Sequence, residues 1–264
     1  MKQTEAPPRP ILTIITITYQ AERFLERTLK SIDASMEMVQ NKGAIEYLII
    51  DGGSTDGTLS IAQRYSHLIT TLCSEPDRGL YDAMNKGQER AVGTYLWFMN
   101  AGDEIFDSHT LARLMTTLES EADVYYSDAM FVRENGSEVG LRSECTPHKL
   151  PTDLNWRDFT LGMKVCHQAF IARKRVTSTY PIDNLSADID WEIKCLKRSK
   201  KTEYIPQPLC RYLIGGLSVQ NHRRSLVDRF YVLTRHFGLL PTLWNHVRIL
   251  VRGIIFSNKK RKYW

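Results

Sequence analysis

The sequence predicts an α/β protein built on a mostly parallel central sheet with helices on both faces. Short apolar runs alternate with amphipathic stretches over the first 130 residues, which is the pattern of strand–helix–strand units. Polar clusters follow several of these apolar runs directly, and in such sheets ligands bind beyond the carboxyl ends of the strands. A length of 264 residues with 42% hydrophobic content is enough to bury a full core.

The individual elements follow from the spacing of apolar residues. Threonine alternates with isoleucine over 11–19 and predicts the first strand, and apolar residues at helical spacing from Phe24 to Ile32 predict the helix after it. Further strands are expected at 47–50, 69–73, 94–99 and 123–132, with helices at 80–91 and 107–119. A polar stretch over 134–160 precedes a predicted helix at 186–198, a strand at 203–213 and a turn at 215–218.

The last forty residues differ from the rest of the chain. Residues 223–264 contain ten Lys/Arg and a single acid, Asp228, within a chain of net charge +5. Apolar residues from Leu240 to Ile255 recur at helical spacing, which predicts a basic amphipathic helix. Such a helix is typical of proteins that bind anionic membrane surfaces, and an ordinary core helix is the alternative.

The composition excludes several classes of protein. The five cysteines are scattered without a C-x-x-C pair, so neither a zinc site nor a disulfide framework is predicted. The polar, proline-rich start "MKQTEAPPRP" is unlike an export signal, and no run of about eighteen apolar residues predicts a membrane span. We therefore expect a cytoplasmic protein.

The segment "DGGSTDGT" (51–58) ends the second predicted strand. It supplies a strand-end carboxylate in Asp51, glycines that allow positive φ, and short polar side chains that can cap the next helix. One interpretation is a nucleotide pocket in which Asp51 accepts a hydrogen bond from a base or ribose. The other is a tight turn capped by its own side chains.

The segment "SEPDRGLYDAMNKG" (74–87) gathers charged residues around a helix start. Asp82 and Lys86 are four residues apart and share one helical face. We predict that Asp77, Asp82 and Lys86 contribute to nucleotide binding, whereas a solvated charged helix is the alternative.

A third cluster, "NAGDE" (100–104), follows the strand "TYLWFM". A strand-end carboxylate such as Asp103 can bind a divalent cation that bridges two phosphates, with the diphosphate and water completing the coordination that magnesium and manganese prefer. A strand terminator with a helix-capping aspartate is the alternative interpretation.

These clusters, in this order, resemble glycosyltransferase family 2, an inverting group with the GT-A nucleotide-diphospho-sugar fold. The resemblance covers roughly 11–215 and rests on "TIITITYQAERFLERTLKSI", "YLIIDGGSTDGT", "SEPDRGLYDAMNKG", "WFMNAGDE", "HQAFIARK" and "SADIDWEIK". Within the family the chain is most similar to bacterial exopolysaccharide transferases of the colanic acid type. The resemblance implies transfer of a sugar from a nucleotide-diphospho-sugar, most commonly UDP-linked, with Mg²⁺ or Mn²⁺.

The resemblance also implies roles for individual residues. It places Thr18, Tyr19 and Asp51 at the nucleotide, Asp103 at the metal, and Asn100, Ala101, Gly102, His167 and Gln168 at the donor and acceptor sugars. Gly52, Asn100 and Gly102 stand where many members have acids.

Inverting transfer needs a carboxylate to take the proton of the acceptor hydroxyl, and Asp188 in "LSADIDWEIK" matches the family's base. Asp190 is the second choice. It lies two residues further along the predicted helix, so its side chain points well away from that of Asp188. Ser218, His222 and Arg223, in and after "GGLSVQN", are weaker candidates for contact with the diphosphate.

Three other functions were weighed against this prediction. A sugar-nucleotide nucleotidyltransferase needs a glycine-rich loop after the first strand, and "TYQAERFLERT" has no glycine. A nucleic-acid-binding protein would use the basic tail, but the leucine- and isoleucine-rich stripe with a single tryptophan suits lipid better. The third alternative is a relative that has lost activity, and the presence of Asp51, Asp103 and Asp188 together argues against it.

We therefore predict a GT-A catalytic domain over 1–222, with its nucleotide-binding half at about 10–130 and its acceptor half at about 131–222. A basic amphipathic tail over 223–264 would hold it peripherally on the cytoplasmic face of the membrane. The expected partners are a nucleotide-sugar donor, a saccharide or lipid-linked saccharide acceptor and an anionic membrane surface, without nucleic acid.

Overall fold

The computed structural model describes residues 9–215 and 221–259, and it confirms an α/β fold with a central sheet flanked by helices. The strands, in chain order, are β1 (Leu12–Thr18), β2 (Ile45–Asp51), β3 (Thr71–Ser74), β4 (Tyr95–Phe98), β5 (Glu104–Ile105), β6 (Val124–Tyr126), β7 (Ala129–Val132), β8 (Glu138–Leu141), β9 (Phe170–Arg173), β10 (Thr202–Tyr204) and β11 (Cys210–Leu213). The helices are α1 (Leu25–Met36), α2 (Thr58–Arg64), α3 (Leu80–Arg90), α4 (Thr110–Thr117), α5 (Arg142–Cys145), α6 (Ala187–Arg198), α7 (His222–Phe237) and α8 (Leu239–Lys259).

The main sheet has seven strands in the order β10-β6-β9-β4-β1-β2-β3. The two longest strands, β1 and β2, are buried along their whole length and pair in parallel, Leu12 with Ile45 through Thr18 with Asp51. Strands covered on both faces need apolar residues at successive positions, which "LTIITIT" and "IEYLII" supply. These strands contain two acids, Glu46 and, at the end of β2, Asp51. Glu46 accepts a hydrogen bond from Thr13 Oγ1 at 2.6 Å.

The sheet is mixed because β9 runs antiparallel to both of its neighbours, β4 and β6. A second sheet of four strands, in the order β5-β11-β7-β8, was absent from the sequence prediction. The predicted strands at 123–132 and 203–213 each divide into two strands, one in each sheet. Ser127 and Asp128 interrupt the first, and Pro206 and Pro208 interrupt the second, so the chain leaves the main sheet at both places.

The C-terminal region forms two helices, and only the second was predicted as such. Gly238, at φ +86°, separates α7 from α8. Val232 and Leu233 of α7 and Thr242 and Asn245 of α8 are buried, so both helices pack on the rest of the protein. Within the described ranges, no helix is both long enough and apolar enough to span a bilayer. Whether 223–264 acts as a unit apart from 1–222 stays a prediction.

Candidate active site

A cavity of about 730 Å³ opens between the two sheets, beyond the carboxyl end of β4. It brings together six of the residues that the sequence predicted for metal, sugars and base: Asn100, Ala101, Asp103, His167, Gln168 and Asp188. The other lining residues are Phe24, Leu80, Tyr81, Met84, Phe131, Glu134, Arg142, Met163, Cys166, Leu185, Tyr212, Leu213, Ile214 and Gly215. The predicted nucleotide residues lie outside this set.

Asp103 is held rigidly at the junction of the two sheets. Its Oδ1 accepts a hydrogen bond from the Leu213 backbone N–H at 2.9 Å, and its backbone carbonyl accepts one from Thr28 Oγ1 at 2.7 Å. Burial raises the pKa of Asp103 to about 7. A neighbouring cation would offset this burial, since an opposite charge favours the ionised carboxylate.

Gly102, where an acid is common in the family, has φ +104°. A Cβ at this position would lie 3.0 Å from Leu213 Cδ2. Both the backbone conformation and the contact with β11 therefore favour glycine, which accounts for the missing acid.

Asn100 and Asp103 provide oxygen atoms suited to a hard divalent cation. Asn100 Oδ1 is buried without a hydrogen-bond partner, and it lines the same cavity as the Asp103 carboxylate. Among the described residues no three His, Cys, Asp or Glu side chains form a metal cluster. Magnesium keeps several non-protein ligands in nucleotide sites, so these two side chains fit a cation whose remaining ligands are phosphate and water.

Asp188 lies in the first turn of α6 and faces the cavity. Burial raises its pKa to about 6, opposed by a hydrogen bond from the Ile189 backbone N–H and by the nearby Tyr81 hydroxyl, which donates to the Leu185 carbonyl at 3.2 Å. A carboxyl with this pKa is mostly ionised at neutral pH and is a stronger base than an ordinary aspartate. The position and the pKa both suit a proton acceptor.

Asp190, the second choice for the base, is fully buried on another face of α6 and does not line the cavity. Its carboxylate lies 2.6 Å from Lys194 Nζ and 2.7 Å from His236 Nε2. The contact with His236 links α6 to α7, so the surroundings of Asp190 indicate a structural role.

His167 and Gln168 lie in a short 3₁₀ helix, His167–Ala169, that enters β9. His167 Nε2 lies 2.9 Å from the Tyr180 hydroxyl, and burial lowers the pKa of His167 to about 3. Its ring is therefore neutral. The backbone carbonyl of Gln168 accepts a hydrogen bond from Trp97 Nε1 at 2.8 Å, which fixes this segment against β4.

Asp51 is enclosed by its own turn and does not line the cavity. Its carboxylate accepts hydrogen bonds from the backbone N–H groups of Gly53 and Ser54 and from the hydroxyls of Ser54 and Ser74. The structure thus shows the turn-stabilising role, and contact with a base stays a prediction.

Thr18, Tyr19 and Asp77 surround Gly52. A Cβ at Gly52 would lie 2.5 Å from Asp77 Oδ2 and 3.2 Å from Tyr19 Cδ2, so the Asp77 carboxylate occupies space that an acid at 52 would need. The Tyr19 side chain is 63% exposed, and Thr18 Oγ1 is buried without a partner.

Asp82 and Lys86 are engaged at the start of α3. Asp82 accepts from the Arg78 backbone N–H at 3.1 Å, a bond that lowers its pKa, and Lys86 Nζ donates to the Pro76 carbonyl at 2.9 Å. Arg223 is exposed on α7. Ser218 and the side chain of His222 lie outside the described residues.

Sequence reasoning missed four polar residues of the cavity: Tyr81, Glu134, Arg142 and Tyr212. Tyr81 lies within "SEPDRGLYDAMNKG", but only charged residues of that segment were predicted to bind the nucleotide. Arg142 follows β8 in the polar stretch that has no clear periodicity, and Tyr212 belongs to the unpredicted second sheet.

The comparisons with known proteins agree with this geometry. The family model described as glycosyl transferase family 2 matches residues 13–179. The chain belongs to this family. A PGL/p-HBAD biosynthesis glycosyltransferase of Mycobacterium bovis is 30% identical to this glycosyltransferase over 271 residues, covering 96% of this chain and 99% of the relative. The putative teichuronic acid biosynthesis glycosyltransferase TuaG of Bacillus subtilis is 33% identical over 237 residues, covering 88% and 90%.

Solved structures confirm that this family 2 enzyme has a GT-A fold. S. aureus TarS 1–349 in complex with UDP-GlcNAc matches with a TM-score of 0.67 at 16% identity, over 95% of this chain and 74% of that one. The chain spans 44% of a longer TarS chain. The mannosyltransferase PcManGT from Pyrobaculum calidifontis, in complex with GDP-Man and Mn²⁺, matches with a TM-score of 0.59 at 19% identity, over 97% and 78%.

Proposed function

We propose that this glycosyltransferase moves one sugar, with inversion, from a nucleotide-diphospho-sugar to a saccharide acceptor in bacterial surface polysaccharide synthesis. The observation that supports this most strongly is that Asp103 and Asp188 face the same cavity. One carboxylate is suited to the donor diphosphate and its cation, and the other to the acceptor hydroxyl. Membership of family 2 favours this reaction over nucleotidyl transfer or nucleic-acid binding.

Asp188 would act as the general base. It accepts the proton of the acceptor hydroxyl while that oxygen forms a bond to the anomeric carbon and the bond to the diphosphate breaks. The acceptor oxygen attacks from the face opposite the leaving group, so the configuration at the anomeric carbon inverts. The neutral His167, whose Nδ1 is buried without a hydrogen-bond partner, would supply a hydrogen bond to a sugar without adding charge.

A divalent cation, Mg²⁺ or Mn²⁺, would be held by the Asp103 carboxylate and the Asn100 amide oxygen. When bound, it neutralises charge on the leaving diphosphate. Support comes from the orphaned Asn100 oxygen and from PcManGT, whose structure contains Mn²⁺.

A UDP-linked donor is the first choice. TarS, which shares the fold, binds UDP-GlcNAc. On this chain the base would lie on the exposed ring of Tyr19, near Thr18 and Asp77 and over Gly52. Asp51 would support this surface by stabilising the adjacent turn, with Asp82 and Lys86 shaping the start of α3.

This function is tested by thermal unfolding of the full chain with a panel of nucleotide-sugars, with and without Mn²⁺. We expect a UDP-sugar to raise the melting temperature only when Mn²⁺ is present, by several degrees at a concentration 100 times the dissociation constant. If no nucleotide-sugar stabilises the protein under either condition, the proposed donor class is wrong.

The C-terminal helices would bind the protein peripherally to the cytoplasmic face of the membrane and present it to a lipid-linked acceptor. One side of α8 is exposed and apolar, with Leu240 79% and Trp244 67% accessible. Val227 and Tyr231 of α7 are exposed as well. The arginines of 223–264 supply positive charge around it, which suits an anionic bilayer.

We predict that Leu240→Asp weakens binding to vesicles of phosphatidylglycerol and phosphatidylcholine, because a carboxylate replaces an apolar side chain that would enter the bilayer. The expected loss is about tenfold or more, measured by flotation. Val92→Asp is the matched control, since Val92 is also exposed but lies beside β4, and it should float as the unmodified protein does. Equal flotation of the two variants would contradict membrane contact through α8.

A further inference from the structure

Arg142 is the single Lys or Arg among the described residues that line the cavity. It directly follows β8 at one edge of the smaller sheet, whereas Asp103 directly precedes β5 at the other edge. Strands β11 and β7 lie between these edges, and three strand spacings amount to about 14 Å. The backbone of Arg142 therefore lies at the opposite edge of this sheet from Asp103.

The Arg142 guanidinium is buried and held by backbone carbonyls. Nη1 donates to the Lys164 carbonyl at 2.6 Å, Nη2 donates to the Met163 carbonyl at 2.8 Å, and the residue is 8% exposed. None of the described acids forms a salt bridge with it. Although burial raises the pKa of Asp188, the Arg142 charge opposes that rise, so this cation acts on the base.

A second cation, Arg229 on α7, lies close to the same segment. Its Cδ is 3.6 Å from the position of a Cβ at Gly162, the residue before Met163. Arg229 Nε is buried without a hydrogen-bond partner, and no described acid forms a salt bridge with Arg229.

Arg142 and Arg229 thus place two positive charges next to 162–164. Among the described residues, Asp188 and Glu192 interact electrostatically with Arg142, but no acid forms a direct salt bridge with either cation. Because a buried charge without a direct partner is costly, the two arginines favour an incoming anion.

We propose that Arg142 binds an anionic group of the acceptor, a phosphate or a carboxylate, at the Asp188 end of the cavity, with Arg229 adding positive potential. This specificity rests on the proposed transferase function. A guanidinium presents paired N–H donors that match an oxyanion, and its carbonyl contacts hold it in a fixed orientation. An acceptor bound in this way would have a hydroxyl directed toward Asp188.

The test is thermal unfolding of the full chain with UDP and Mn²⁺ present, so that the nucleotide site is filled. The probes are inorganic phosphate and glucuronate, which distinguish a phosphoryl group from a carboxylate, and neutral methyl glucoside, all at equal ionic strength with chloride. We expect at least one anion to raise the melting temperature saturably, and methyl glucoside to have a smaller effect.

The variants locate this effect. Arg142→Gln should raise the half-saturating anion concentration about tenfold or more, and Arg229→Gln should raise it about threefold. Arg142→Lys keeps the charge but loses the paired donors, so its half-saturating anion concentration should be intermediate. This milder variant keeps the test valid if Arg142→Gln does not fold. Lys42→Gln removes one charge from an exposed residue at the amino end of β2 and should change nothing.

Saturable stabilisation by either anion that depends on Arg142 supports the proposal. An anion effect that is absent, or that is equal in Arg142→Gln and Lys42→Gln, overturns it. The shift in melting temperature caused by UDP and Mn²⁺ is measured separately for each variant, without added anion. If UDP has no effect while an anion binds through Arg142, the donor assignment fails and the anion site stands.

Discussion

Asp188→Asn is expected to reduce sugar transfer by about 10²–10⁴-fold while leaving nucleotide binding intact. Asparagine has nearly the same shape but cannot take a proton, so the acceptor hydroxyl would attack without a base. The loss should appear in kcat, measured by release of nucleoside diphosphate in the presence of acceptor. Binding of UDP with Mn²⁺, measured by the shift in melting temperature, should match that of the unmodified protein.

Asp190→Asn is the matched control, because it makes the same change two residues further along α6. Asp190 pairs with Lys194 and His236, so this variant should lose stability, while its folded fraction keeps transferring sugar. If Asp190→Asn abolishes transfer and Asp188→Asn does not, the two roles are exchanged.

The pH dependence of the unmodified enzyme provides a second test of Asp188. Its pKa is raised to about 6 by burial, and a general base works only when ionised. Transfer should therefore increase about tenfold per pH unit below 6 and level off above 7. An acidic limb near pH 4, where an exposed aspartate titrates, would argue against Asp188 in its buried setting.

Asp103→Ala is expected to remove the Mn²⁺ dependence of donor binding and to lower transfer by roughly 100-fold or more, since the cation stabilises charge on the leaving diphosphate. The readout is the melting temperature with UDP and increasing Mn²⁺, together with the transfer rate. Retention of metal-dependent transfer by this variant would contradict the assignment.

Asp103 also fixes β11 through the Leu213 N–H, so loss of function in the alanine variant has a structural explanation as well. Asp103→Asn separates the two, because its amide oxygen can still accept that hydrogen bond. We expect this variant to unfold at a temperature close to that of the unmodified protein without metal, yet to bind Mn²⁺ with UDP more weakly.

The sequence was informative about the fold wherever local periodicity and burial coincide. The alternation in 11–19 and the apolar run at 47–50 correspond to β1 and β2, whose side chains are buried on both faces. The prediction missed the second sheet because 123–132 was predicted as one strand across Ser127 and Asp128. The change of sheet at Ser127 depends on its contacts with Ala169 and Leu209, which are distant in sequence.

The family resemblance predicted which carboxylates share a cavity better than strand-end position alone did. Asp103 and Asp188 reach one cavity because β4 and α6 converge there, as the family pattern implies. Asp51 shows the limit of such reasoning, since a turn aspartate can face a ligand or its own N–H groups, and spacing does not distinguish the two. Arg142 was missed because the carbonyls that hold it, at 163 and 164, are set by tertiary packing.

We propose that this family 2 enzyme cleaves a nucleotide-diphospho-sugar at a cation held by Asp103, with Asp188 as the base. The most direct measurement is nucleoside diphosphate release from a panel of nucleotide-sugars with Mn²⁺ and a lipid-linked saccharide extract. We predict release from a UDP-sugar that stops when Mn²⁺ is chelated and falls at least 100-fold in Asp188→Asn. Release that is equally fast in Asp188→Asn, or that persists after chelation, would contradict the account.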